Sequence, residues 1–158
     1  MAGYIAITMS DWLDCIAASG NSSAVFWCKK KNFKALLPGE KFYFLERGQF
    51  RSNADRFIVG SGEFLEFKKG KSFEVWDKYT TKLGFSTLEE LEEHIEAVYH
   101  NKTFEIGCIV LNNIAFFNRK ISLDECGVDF SPYIVSGKCI TSDECIRIEK
   151  AAKEIENG

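Results

Sequence analysis

The two imidazoles of the chain, His94 and His100, fall in and just after the acidic segment "STLEELEEHIEAVYH". Nucleophilic catalysis needs a cysteine or serine beside a base that a third group orients. A histidine on so acidic a helix reads instead as an exposed or capping residue. Carboxylates are paired only in "LEELEEHIE", whose spacing is that of a solvated helix face. Walker-type phosphate loops, H-E-x-x-H and H-N-H ligand patterns are absent from the sequence. The six cysteines, Cys15, Cys28, Cys108, Cys126, Cys139 and Cys145, stand singly, without a C-x-x-C pair or a histidine at ligand spacing. That pattern argues against zinc, and no cofactor is expected. Disulfides are not expected either, since nothing suggests an oxidising compartment, and the thiols read mostly as small buried apolar groups. No residue set here signals an enzyme.

What remains is the chemistry of rings, backbone amides and cations. Phe26, Trp27 and Phe33 flank Lys29, Lys30 and Lys31, while Phe64 and Trp76 accompany Lys68, Lys69, Lys71 and Lys78. In such a composition cations can hold phosphates while rings stack on a base. Most of the 14 phenylalanines and 3 tryptophans must fill a core. Trp27 and Trp76 are the exceptions singled out, because each adjoins a polar or charged stretch. The net charge is −3, yet the stretch from Cys28 to Lys82 carries 13 Lys/Arg against 7 Asp/Glu. Segregation of this kind lets a basic face approach a polyanion; an ordinary solvated surface accounts for it equally well.

The elements that must position these groups read as one domain, in keeping with 158 residues and 46% hydrophobic content. No run approaches the apolar length of a membrane span, and no secretory start is evident, so a soluble, cytoplasmic protein without membrane contact is expected. "SDWLDCIAAS" predicts a first helix capped by Ser10, with Trp12, Leu13 and Ile16 on one side. In "STLEELEEHIEAVYH", Thr87 and Glu90 form a capping box, and Leu88, Leu91, Ile95 and Val98 line one face. Thr141 and Glu144 repeat that box at the head of a last helix over about 142–156, which leads toward a further domain or partner. "AVFWC", "KFYFLE", "RFIVGSGEFLEF", "EIGCIVL" and "IAFF" read as strands. Gly60 and Gly62 mark a bulge or barrel corner, or a close approach by a ligand or another backbone. The fold class expected is α+β, a curled β-barrel of about five to six strands with helices packed outside.

The series "ITMSDWLDCI", "VFWCKKKNFKALLPGEKFYFL", "RFIVGSGEFLEF", "SFEVWDKY", "STLEELEEHI", "FEIGCIVLNNIAFF" and "YIVSGKCI" resembles, in order and spacing, the PUA-like domain found N-terminal to HNH restriction endonucleases. More distantly it is similar to EVE, ASCH and YTH domains, which hold an extruded, often modified, nucleobase in an aromatic pocket. The resemblance implies a base pocket of Phe26, Trp27, Cys28, Phe33, Ser61, Gly62, Phe64, Trp76 and Asp77, with Ser61 and Gly62 giving close backbone approach and Trp76 with Asp77 the opposite wall. It implies backbone contacts from Lys29, Lys30, Lys31, Lys34, Arg47, Arg51 and Lys138, with Gly137-Lys138 near the mouth. The function it implies is a non-catalytic reader of a modified base in double-stranded DNA, partnered by a separate or fused HNH nuclease. An RNA-binding module and a small ASCH-type amidohydrolase acting on modified nucleosides remain the alternatives.

Overall fold

The computed structural model describes residues 2–48, 52–100, 105–134 and 136–157. Six strands form one mixed sheet: β1 (Gly3–Thr8), β2 (Ala24–Cys28), β3 (Lys41–Glu46), β4 (Phe57–Gly70), β5 (Ile106–Ser122) and β6 (Gly137–Ile140). Their order is β2-β5-β4-β3-β1-β6, and only β1 and β3 run parallel. Among the described residues five α-helices surround them: α1 (Ser10–Ser19), α2 (Ser72–Tyr79), α3 (Leu88–Tyr99), α4 (Leu123–Cys126) and α5 (Ser142–Asn157). No helix among the described residues is long and apolar enough to cross a membrane.

The α+β class is as expected, but the curl does not close into a barrel. β2 and β6 are both edges. The Val25 carbonyl on the β2 edge accepts a hydrogen bond of 3.1 Å from the Trp12 indole N–H, so a helix side chain stands where a closing strand would pair. Strand alternation loads both faces of the sheet. In β2, Ala24, Phe26 and Cys28 face a cluster with Trp12, Ile16, Phe42 and Phe44, whereas Val25 and Trp27 face Val75, Tyr79, Leu91 and Ile95 of α2 and α3. A third cluster joins Ile5, Tyr43 and Leu45 to Phe130, Cys145 and Ile148 under α5.

"AVFWC" and "KFYFLE" coincide with β2 and β3. "EIGCIVL" and "IAFF" instead belong to one long strand, β5. Asn112-Asn113 lies between the two, and Asn113, at φ 50°, opens a bulge in a continuous ladder. Gly60 and Gly62 lie at register shifts between β4 and β5, and a Cβ at Gly60 would come within 2.5 Å of the Ala115 carbonyl. Gly60 therefore admits strand backbone at a bend, and Gly62 the side chains of Ile114 and Leu111.

The Thr141/Glu144 box forms in both directions: Thr141 Oγ1 accepts from the Glu144 amide, and the Glu144 carboxylate accepts from the Thr141 amide. In α3, Thr87 caps Glu90, but the Glu90 carboxylate accepts from the Ser86 amide. Ser10 is not a cap. It is the first residue of α1, behind a Met9 that offers no side-chain oxygen. His94 Nδ1 lies 3.0 Å from the Glu90 carbonyl oxygen, and His100 ends α3 in the left-handed conformation.

All six thiols are free: Cys108, Cys126 and Cys145 are buried, Cys15 and Cys28 half-buried, and Cys139 exposed. Burial pushes the Cys108 thiol up to about 12 and Cys126 to about 11. Thiolate is the reactive form. Titration with a chromogenic disulfide at pH 8 should therefore modify Cys139 first and leave Cys108, Cys126 and Cys145 unreactive until denaturant is added. Rapid native reaction at Cys108 would contradict this packing.

Candidate functional site

The open seam between the β2 edge and the end of β1 forms a cavity of about 470 Å³, well within the 300–1,000 Å³ range of small-molecule sites. Ile7, Thr8 and Met9 come from the end of β1, Trp12 from α1, and Phe26, Trp27, Cys28 and Lys29 from the end of β2. Arg47 after β3, Val98 of α3 and Ser136 before β6 complete it.

The ring wall is built locally. Trp12 is 3% exposed, pinned by its indole bond to Val25 and set edge-on to Phe26 at 5.7 Å and Phe44 at 5.3 Å. Phe26 leans against Phe42 at 5.1 Å. Trp27, next in sequence, points to the other face of β2 and is only half-buried against the α2/α3 cluster. Both reach the cavity because it lies at the strand edge, where the two faces meet.

The polar side of the cavity is ordered through backbone. The Arg47 amide donates to the Thr8 carbonyl at 2.9 Å, and the Ile7 amide to the Ser136 carbonyl at 2.8 Å. Thr8 is buried and donates its hydroxyl to the Ala6 carbonyl at 2.9 Å, which leaves its oxygen free to accept. Among the described residues, the Arg47 guanidinium and Ser136 hydroxyl have no side-chain partner, so both remain available as donors to a ligand. Burial raises the Cys28 thiol, which makes it a neutral wall.

Of the residues expected at a base pocket, the structure brings together Phe26, Trp27 and Cys28, with Lys29 and Arg47 beside them. Phe33 and Phe64 lie elsewhere, 7% and 6% exposed and 5.5 Å apart in a core aromatic group with Tyr4 and Phe42. Ser61 and Gly62 are buried inside β4, paired with Tyr43 and Phe42. Trp76 and Asp77 sit on α2, Trp76 half-buried on the α2/α3 cluster and Asp77 exposed, and neither lines the cavity. The rest of the lining comes instead from Ile7, Thr8, Met9, Arg47, Val98 and Ser136.

The lysines divide as well. The Lys29 ammonium lies 5.4 Å from the Tyr99 ring centroid, and the Lys30 ammonium donates to the Tyr4 hydroxyl at 3.2 Å. Lys31 and Lys34 are exposed. Lys138 turns to the Asp129 carbonyl, and Arg51 lies outside the described residues.

Sequence reasoning did not single out Thr8, Met9 and Ser136, and it gave Trp12 and Val98 only packing roles. No sequence signal separates Val98 from the packing face of α3. It was expected on the apolar face of α3 but is 40% exposed, because it faces the cavity rather than the core.

Among solved structures, ASCH from Zymomonas mobilis matches with a TM-score of 0.65 at 12% identity, over 94% of this chain and 94% of its own. Human THYN1, in complex with 5-methylcytosine-containing DNA, matches with a TM-score of 0.54 at 13% identity, over 97% and 98%. The N-terminal domain of Staphylothermus marinus McrB matches with a TM-score of 0.58 at 9% identity, over 94% and 92%. No protein-family model and no curated protein matches the sequence.

Proposed function

We propose that this chain, which has the PUA-like fold of ASCH and EVE domains, is a non-catalytic reader holding a modified base of double-stranded DNA in the seam cavity. The observation that carries the reading is the cavity's composition: the rings of Trp12, Phe26 and Trp27 together with the polar groups of Thr8, Arg47 and Ser136. A base turned out of a duplex loses both stacking and pairing. Rings offer to restore the first, and a few directed donors and acceptors the second. Cations at the rim suit the flanking phosphates. The complex of human THYN1 with 5-methylcytosine-containing DNA lends support from a protein of the same fold. In the cell the domain acts as the specificity module of a modification-dependent restriction system, with cleavage supplied by a separate or fused HNH nuclease.

The test is fluorescence-anisotropy binding to matched duplexes carrying cytosine, 5-methylcytosine, 5-hydroxymethylcytosine, glucosylated hydroxymethylcytosine, adenine or 6-methyladenine, at low and moderate salt. One modified duplex is expected to bind best. Trp27→Ala should weaken that duplex by about 1–3 kcal/mol, roughly 5- to 150-fold, and erase the preference. Trp76→Ala, outside the cavity, should leave the preference intact. Equal, weak binding to all duplexes that disappears with salt would overturn the reading, as would tighter binding to a matched RNA. Product release from free modified nucleosides would remove the word non-catalytic.

A further inference from the structure

We propose that a second cleft, sharing Lys29 with the aromatic cavity, holds phosphodiesters of the strand whose base is read; the inference rests on the reader function above. Lys29, Lys30, Lys31 and Lys69 line this cleft of about 420 Å³ with Tyr99 and Ile106, and Glu105 is the one carboxylate among its described lining residues.

Sheet register creates the convergence. Gly107 of β5 pairs with Cys28 of β2 on one side and Lys69 of β4 on the other. A Cβ at Gly107 would lie 2.5 Å from the Lys30 carbonyl oxygen, so the loop leaving β2 passes directly over β5 toward Lys69. Three consecutive lysines are thereby brought to a fourth from a distant segment.

Two of the four ammonium groups rest on rings, Lys29 against Tyr99 and Lys30 at 5.2 Å and 5.4 Å from Tyr4 and Phe33. Lys31 and Lys69 are exposed, and among the described residues none of the four forms an ion pair. The adjacent Lys68, by contrast, lies 3.9 Å from Glu66. Four like charges gathered around a single carboxylate, Glu105, favour an anion from outside. A polynucleotide backbone supplies several anions in a row, and Lys29 links the phosphate track to the base site.

The experiment measures the salt dependence of binding for the best modified duplex and its unmodified match, using the whole chain. The Lys31→Gln/Lys69→Gln double variant spares the two lysines seated on rings. It should reduce the slope of log K against log salt by about 1.8, near 0.9 for each lost phosphate contact. Both duplexes should weaken alike, with the modified-to-unmodified ratio unchanged. Lys150→Gln/Lys153→Gln, exposed on α5, should leave the slope as it was. An unchanged slope in the first variant, or an equal fall in the second, would overturn the proposal. If the first variant lowers the slope in a protein without modification preference, the reader function fails while the phosphate cleft stands.

Discussion

Replacing Gly84 with alanine is expected to destabilise the protein by about 3–6 kcal/mol and to abolish ligand binding by the seam cavity. Gly84 ends the 3-10 turn Thr80–Leu83 at φ 87°, where an L side chain costs roughly 1–2 kcal/mol. The larger penalty is steric. A Cβ there would stand 2.0 Å from Trp12 Cδ1, with Trp12 Nε1 at 2.6 Å and Cγ at 2.8 Å. The indole is rigid and 3% exposed, so it can yield only by repacking, at about 1–3 kcal/mol, and by surrendering its bond to Val25, worth about 1 kcal/mol. Because Trp12 also lines the cavity, stability and binding should fail together. Gly20→Ala is the matched comparison: its φ of 67° is similar, but nothing lies within 4 Å of the added methyl. It should show only the backbone cost of about 1–2 kcal/mol. Equal urea midpoints for the two variants would refute the steric account.

Phe42→Ala should cost about 3–5 kcal/mol, which for a domain of this size lowers the melting midpoint by roughly 6–20 °C. Phe42 has no exposed surface and sits at the centre of a ring group, with Phe26 at 5.1 Å, Tyr4 at 5.7 Å, Phe44 at 5.8 Å and Phe33 at 6.4 Å. Close packing leaves no side chain free to fill the void. The contact with Phe26 ties this loss to the cavity wall, so binding should weaken even where the variant remains folded. Phe73→Ala, at a position 57% exposed on α2, should change stability by no more than about 0.5 kcal/mol. Calorimetry on both variants decides whether the ring group or merely phenylalanine content sustains the fold.

The strands that announced themselves were those whose apolar, aromatic and β-branched residues decide locally. β2 and β3 begin and end where "AVFWC" and "KFYFLE" do. β1 and β6 were not identified: "GYIAIT" runs straight into a helix signal, and "GKCI" is four residues made strand by its pairing with β1. The site divides for the same reason. Phe26, Trp27 and the lysines after them are one contiguous stretch, visible as composition. Thr8, Arg47 and Ser136 meet across β1, β3 and the approach to β6, a juxtaposition that only tertiary register creates. Trp76 shared the composition signal of Trp27, a tryptophan beside lysines, and composition cannot distinguish a helix flank from a strand edge. Phe33 and Phe64 flanked the charged stretches in sequence but turn inward in space.

The bond from the Ile7 amide to the Ser136 carbonyl also sets a timetable. β1 can pair with β3 once residue 46 has emerged from the ribosome. Its other edge must wait for β6, at Gly137–Ile140. Contacts of such long sequence separation form late, because the loop entropy precedes the reward. A nascent or truncated chain therefore joins Thr8 to Arg47, and seats Phe26 and Trp27 once β5 has been made, before Ser136 is in place, and the cavity is finished only when β6 has emerged. Recognition arrives as a late act in the folding of this domain, and a pause or frameshift near residue 130 would produce a partly folded domain blind to its ligand.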